Sequence, residues 1–296
     1  MPPSELTPST RHNHDRHWNR RPCSVGIAPR GCSVWRLDDR LGIADRPAEA
    51  SFHARGTMVV CGTEAAARMF KLAGATAELC CASGDRAAPG QLLLRAQGPA
   101  GALHTAWKMA QTLAEALSGI ATATDAIVQT VREAGFAIPV ACTRKNFPGT
   151  RRWSALAVRA GGGVMHRLGL SETLLVFPEH LAFVGHDDRA ATLAALRRSQ
   201  PEKRLVVEVG SEDDALAMAL AGADVLQLER FTPDRLAALR QTLRTQGLQA
   251  QLAPAGGVTV ANAAAFASAG ADFLVTSAPY FAPPADIRVS LGPAAG

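Results

Sequence analysis

A chain of 296 residues is long for one domain and short for three, so one large domain or two moderate ones are expected. An apolar fraction of 47% with 19% charged residues excludes wholesale disorder, collagen-like repeats and disulfide-dense miniature folds. The formal charge of +5 is concentrated in residues 1–40, where seven Arg stand against four Asp and Glu. With 5% aromatic residues and no basic stripe interleaved with stacking side chains, nucleic-acid binding is not indicated. No apolar run approaches the ~20 residues that span a bilayer, and the opening segment lacks a secretion signal, so a soluble cytoplasmic protein with no membrane partner is expected.

Residues 1–39 carry no sustained periodicity and read as a disordered or atypical tail. Within it, His12, His14 and His17 suit either metal binding or simple solvation, and a tract without fixed supporting groups favours solvation. The abrupt change in composition near residue 40 fits a misplaced start. The six cysteines, Cys23, Cys32, Cys61, Cys80, Cys81 and Cys142, form no CxxC pair and predict reduced, mostly buried thiols.

From residue 50 short apolar runs broken by turns (ASFHARG, TMVVCG, ATAELCCA, QLLLRAQG) predict a small sheet, with a helix over 63–71 packed on it. An Ala-rich helical stretch over 102–133, interrupted at Ser118-Gly119, links this part to the next. Strand-like pieces then alternate with helical ones. The expected strands are 138–143, 173–177, 204–209, 224–229, 248–254 and 272–277, which predicts parallel βα units. Ser211 with Asp214, Thr232-Pro233, and Gly222, Gly247 and Gly270 supply the helix starts and stops. Ala-Gly-Ala-Asp occurs twice, at 221–224 and 269–272, as one αβ turn used twice.

In a parallel barrel the strands' C-terminal ends face the site, so chemistry is sought there. Arg144 and Lys145 end the first strand, and Arg159, His166 and Arg167 follow in a stretch that three consecutive glycines, 161–163, break into a loop. Arg and Lys clustered this way suit an anionic ligand. Glu208, inside LVVEV, is costly in a barrel strand unless it is paired, metal-bound or facing a ligand, and Glu229 ends the next strand. Gly256-Gly257 before a helix, beside Ser277, suits phosphate, although a tight turn explains the glycines equally well.

The stretch TRK-x-x-PG-x-R, the GGG-x-x-HR-LGLS run, SGIAT at 118–122, VEV at 207–209 and the late GG resemble the quinolinate phosphoribosyltransferase (nicotinate-nucleotide pyrophosphorylase) family. The likeness extends over about residues 40–292 and is closer to the ModD branch, encoded with molybdate transporters, in WKMAQTLAEALSGIATAT, ACTRKNFPGT, GADVLQLERF and VTSAPY. The resemblance implies an α/β fold with an N-terminal α/β sandwich domain over 40–114, residues 283–296 returning to it, and an incomplete TIM-like barrel over 115–282. It further implies a homodimer, transfer of a phosphoribosyl group from 5-phosphoribosyl 1-pyrophosphate (PRPP) to a small anionic acceptor, Mg²⁺ with the donor, and no organic cofactor. By the same resemblance Lys145, Glu208 and Glu229 are catalytic, the two glutamates also serving Mg²⁺. Arg144, Arg159, His166 and Arg167 bind substrate, Lys108 reaches the partner's site, and Gly256, Gly257 and Ser277 hold phosphate.

The chain departs from the family at Phe177, Ala255, Ser277 and Phe281, where the quinolinate enzymes carry Lys, Ser, Gly and His, and Glu229 replaces an Asp. A phenyl ring in place of a phosphate-binding cation removes a charge-assisted bond. Three readings follow: transfer to an unidentified acceptor, linked to molybdenum metabolism; a non-catalytic binder of molybdate or a molybdenum-cofactor precursor; and quinolinate turnover in NAD biosynthesis, disfavoured by Phe177 and Phe281.

Overall fold

Residues 37–294 are described by the structure, a computed structural model. Most of the expected tail, with His12, His14, His17, Cys23 and Cys32, lies outside the described residues. Its last three residues are helical: α1 (Leu37–Arg40) begins inside the span read as tail, because Asp38 meets His104 Nδ1 at 2.6 Å and docks the turn on a long helix.

The first sheet follows from strict alternation. Strand β1 (Pro47–Ala54) turns Ala48, Ala50, Phe52 and Ala54 inward. Then come β2 (Met58–Val59), α2 (Thr63–Ala73), β3 (Thr76–Leu79), β4 (Arg86–Ala87) and β5 (Leu92–Pro99). Helix α2 lays Ala66, Ala67, Met69 and Phe70 on the sheet, and Phe70 meets Phe52 edge-on at 5.8 Å. Strands β2 and β4 pair separately.

Helix α3 (Ala100–Glu133) runs 34 residues without the break expected at Ser118-Gly119. These small residues serve close approach instead. A Cβ on Gly119 would lie 2.3 Å from the Pro283 carbonyl oxygen, and buried Ser118 accepts the Cys61 N–H at 2.9 Å. The helix packs against both halves of the chain, so the domain boundary drawn between 114 and 115 falls inside it.

The second half comprises β6 (Val140–Cys142), α4 (Arg151–Ala160), β7 (Val164–Met165), β8 (Leu174–Val176), α5 (Pro178–Leu181), α6 (Arg189–Ser199), β9 (Leu205–Val209), α7 (Glu212–Leu220), β10 (Val225–Glu229), α8 (Pro233–Thr245), β11 (Gln251–Ala255), α9 (Val260–Ser268) and β12 (Leu274–Thr276). Its strands are parallel in two groups, β11-β10-β9-β8 and β12-β6-β7. Among the described residues no pairing joins β7 to β8 or β11 to β12, so the strand ladder is interrupted at both places. Strand β7 is a seventh, unexpected one: two residues after a triple glycine carry no pattern of their own. Gly161 and Gly163 are there because a Cβ would strike Ala121 O at 2.3 Å and Thr124 Cγ2 at 2.6 Å on α3. Finally β13 (Ile287–Pro293) returns to pair antiparallel with β1, giving the order β13-β1-β5-β3.

The repeated Ala-Gly-Ala-Asp has a shared physical basis. Gly222 and Gly270 take the left-handed conformation after α7 and α9. Asp224 and Asp272 accept the N–H of Leu205 (2.8 Å) and Leu252 (2.7 Å) on the neighbouring strand, and each pairs with an arginine, Arg197 and Arg240. Ser211 accepts the Asp214 N–H at 3.1 Å and Thr232 the Arg235 N–H at 3.3 Å, as the caps predict. No described helix is long and apolar enough to cross a membrane.

Candidate active site

Alternation along the barrel strands decides what faces inward. On β9 and β10, Val207, Val209, Leu226 and Leu228 pack outward against helices, whereas Val206 and Val225 pack in the barrel interior with Ala253, Ala255 and Val275. By the same period Glu208, Gln227 and Glu229 share the interior face. The alanines on β11 leave space beside them. A cavity of about 630 Å³ opens there, at the C-terminal ends of the strands.

One wall is cationic. Arg144 and Lys145 follow β6, and His166 and Arg167 follow β7, all lining the cavity. Among the described residues, the side chains of Arg144, Lys145 and Arg167 make no hydrogen bond or ion pair. Burial, and then the neighbouring Arg144, depress the Arg167 pKa, opposed by Glu172. Burial, and then Arg167, hold His166 below its ordinary value, so its ring is neutral at neutral pH. The loop is fixed from below: the His166 N–H donates to Cys142 O at 2.8 Å, and the Tyr280 hydroxyl donates to Thr143 O at 2.7 Å.

The opposite wall is acidic. Glu208 lines the cavity and accepts from Gln227 Nε2, while Glu229 lines it one level nearer the mouth. Burial and then the Glu229 charge push the Glu208 pKa up, with Glu179 adding to this; Gln227 and Lys145 oppose it. Arg230, with φ +56° and 85% of its side chain exposed, turns the strand end in an uncommon conformation and lies 3.6 Å from Glu229. The third element is the turn into α9. Gly256, Gly257 and Thr259 line the cavity with Ser277, which places the positive N-terminal end of α9 at its edge.

Of the residues singled out from sequence, the cavity therefore gathers Arg144, Lys145, His166, Arg167, Glu208, Glu229, Gly256, Gly257 and Ser277. It does not include Arg159. That residue sits in the last turn of α4, exposed, at the edge of the face that buries Ser154, Ala155, Ala157 and Val158. Nor does Lys108 reach this chain's own cavity: on α3, its Nζ lies 4.3 Å from the Trp107 ring and donates to Gln111 at 3.2 Å. Phe177 and Ala255 line the cavity, and Phe281 stands outside it, 77% exposed. Phe177 stacks on His180 with centroids 5.7 Å apart, and its N–H donates to His180 Nδ1 at 2.9 Å.

Sequence reasoning missed Gln227, which is only 6% exposed, although the argument applied to Glu208 covers any polar residue inside an apolar strand. The two carboxylates offer hard oxygen donors that repel each other, a set that fits Mg²⁺ sharing its shell with water and substrate phosphate. No group of three His, Cys, Asp or Glu suited to a metal exists among the described residues. The four described cysteines, Cys61, Cys80, Cys81 and Cys142, are free, and burial raises Cys61 to about 11 and Cys142 to about 12.

Comparison with known proteins converges on one family. Residues 37–118 match the quinolinate phosphoribosyl transferase N-terminal domain, and residues 120–290 match its C-terminal domain. The chain is 46% identical to ModD of Rhodobacter capsulatus over 233 residues, covering 79% of this chain and 90% of that one. It is 38% identical to ModD of Escherichia coli O157:H7 over 257 residues, covering 86% and 90%. The structure of the nicotinate-nucleotide pyrophosphorylase from Francisella tularensis superposes with a TM-score of 0.79 at 22% identity, covering 88% of this chain and 91% of that one, a likeness of fold.

Proposed function

The chain belongs to the quinolinate phosphoribosyl transferase family, and from that premise we propose that its barrel cavity moves a phosphoribosyl group from PRPP to a ring nitrogen of an anionic acceptor. One observation carries the reading: unpaired Arg144, Lys145 and Arg167 face the Glu208–Glu229 pair across a single cavity of about 630 Å³. Such a cavity takes a molecule with anionic groups at one end and hydroxyl donors at the other, as a sugar phosphate has.

In the reaction the C1–O bond to pyrophosphate breaks, its electron pair leaves with the pyrophosphate, and the acceptor nitrogen's lone pair forms the C1–N bond. Positive charge builds on C1 and the ring oxygen between those events. Glu208 and Glu229 stabilise that charge and accept from the ribose hydroxyls. The N–H groups of Gly256 and Gly257, the Ser277 hydroxyl and the α9 terminus hold the 5-phosphate. Arg144, Lys145, His166 and Arg167 orient the acceptor's anionic group and the departing pyrophosphate. Glu208 and Glu229 would hold Mg²⁺ together with substrate phosphate, supplying charge neutralisation of the leaving group. Lys108, turned away from its own cavity, belongs in this reading to the site of a second copy in a homodimer. From the resemblance to the ModD branch we further propose an acceptor tied to molybdenum metabolism.

Pyrophosphate release from PRPP and Mg²⁺ over a panel of carboxylated heterocycles tests the reading. Turnover with one acceptor, lost in Glu208→Gln, is expected. Absence of turnover throughout, with molybdate bound in calorimetry and PRPP ignored, would replace it with an oxyanion-binding role.

A further inference from the structure

Strand β10 carries the residues VLQLE, and at its middle inward position stands an amide. The level below is apolar, with Val206 and Val225 as register partners on β9 and β10, and Ala253 lies beside Gln227 on β11. An aliphatic side chain would fill this place without any polar demand. Gln227 instead makes one contact of chemical consequence: its Nε2 donates to Glu208 Oε2, on the residue that is its own register partner. The other end of the amide, Oε1, is buried and meets no donor. An unmatched buried acceptor lowers stability, so the amide is not there for the core.

The orientation of the amide follows from charge. An ionised carboxylate only accepts, so Gln227 must turn its NH₂ toward Glu208, and its carbonyl oxygen is thereby forced to the side that offers nothing. Glu229 and Glu179 repel the Glu208 carboxylate, and Gln227 is the one hydrogen-bond donor that holds it among the described residues.

We infer that Gln227 is a positioning residue: its amide fixes Oε2 of Glu208, so that the carboxylate turns Oε1, with both of its lone pairs free, toward the sugar. The inference rests on the phosphoribosyl reading of the cavity. It has a stereochemical consequence, because Oε2, already accepting from Gln227, keeps one lone pair and Oε1 becomes the principal acceptor for the ligand.

The test uses the full chain in magnesium chloride, with ribose 5-phosphate and inorganic phosphate as probes in calorimetry. Gln227→Met keeps the length and volume of the side chain and removes the donor. Its affinity for phosphate should stay within about twofold of wild type, while the advantage of ribose 5-phosphate over phosphate falls about tenfold. In a Glu208→Ala background the same substitution should change that advantage no further. Gln227→Met should melt no lower than wild type, because it also removes the orphaned carbonyl. A full advantage retained in Gln227→Met, or an equal loss with Glu208 already absent, would overturn the inference. A wild type that does not prefer ribose 5-phosphate defeats the phosphoribosyl reading itself. In that case the melting temperatures of the same four proteins still decide the clamp: non-additive values support it and additive values overturn it.

Discussion

Gly256 and Gly257 follow β11 with φ of +73° and +109°, a region where any side chain is strained. The two differ in what a side chain would meet. A Cβ at Gly256 would lie 2.5 Å from Glu229 Oε1 and 2.7 Å from its Cδ, whereas at Gly257 nothing lies within 4 Å. Replacing either by Ala costs about 1–2 kcal/mol of backbone strain, offset by about 0.4–1 kcal/mol from the stiffer unfolded chain. A net loss of about 1 kcal/mol, or about 2–4 °C in Tm, is expected for each. The collision at Gly256 adds little, because Glu229 can rotate away: its side chain is 38% exposed and its one ion pair among the described residues is the 3.6 Å contact with exposed Arg230. Gly256→Ala should therefore melt like Gly257→Ala but bind ribose 5-phosphate like Glu229→Ala. A hydrogen bond to a charged group is worth about 1.5–3 kcal/mol, so the weakening should be about tenfold or more. Thermal unfolding and calorimetry on the three variants decide the matter. A loss above about 4 kcal/mol would show that Glu229 cannot move, and an unchanged affinity would show that it does not touch the ligand.

Two further outcomes follow from the packing and the charges. Gly119→Ala drives a Cβ to 2.3 Å from the Pro283 carbonyl oxygen and 3.0 Å from Pro284 Cα, both backbone atoms, so a loss of about 3 kcal/mol is expected in denaturant unfolding; an unchanged midpoint would refute the close crossing. His166 is held below its ordinary pKa, so the unfolded chain binds that proton first and the wild type loses stability relative to His166→Gln as pH falls through about 6.5. Sulfate beside the ring favours the charged form, so its affinity should rise on acidification more steeply in wild type than in His166→Gln. Parallel profiles would remove His166 from the anion wall.

Much of this was legible because strand ends carry chemistry that packing does not explain. Glu208 stood out as a carboxylate in LVVEV, and the strand-end cations and glycines fell in the expected places. What escaped depends on tertiary contact. Ser118-Gly119 read as a break, because glycine lowers helix propensity, but its real constraint is a neighbouring backbone that no local pattern announces; the triple glycine does end α4 at Ala160, and what escaped there is its close packing on Ala121 and Thr124 of α3. Arg159 was grouped with its neighbours in sequence, and the phase of α4 then turned it away. Gln227 carries no charge and therefore drew no attention, although its amide costs a buried acceptor.

The separation of charge in the cavity bears on what binds there. A structural salt bridge was the rival explanation of Glu208, and Lys145 does act on it electrostatically, yet no ion pair within 4.0 Å joins the two walls among the described residues. Instead like faces like: Arg144 beside Arg167, and Glu229 beside Glu208. Gln227 and Lys145 offset the repulsion in part at Glu208, and Glu172 does so at Arg167, and a ligand of opposite charge relieves each further. A bare oxyanion relieves the cationic wall and leaves the acidic pair as it was. A phosphorylated sugar reaching both walls, with a cation at the carboxylates, relieves both. Ribose 5-phosphate with Mg²⁺ should accordingly raise the melting temperature more than phosphate with Mg²⁺ at equal free concentration, and Glu208→Gln should narrow that difference.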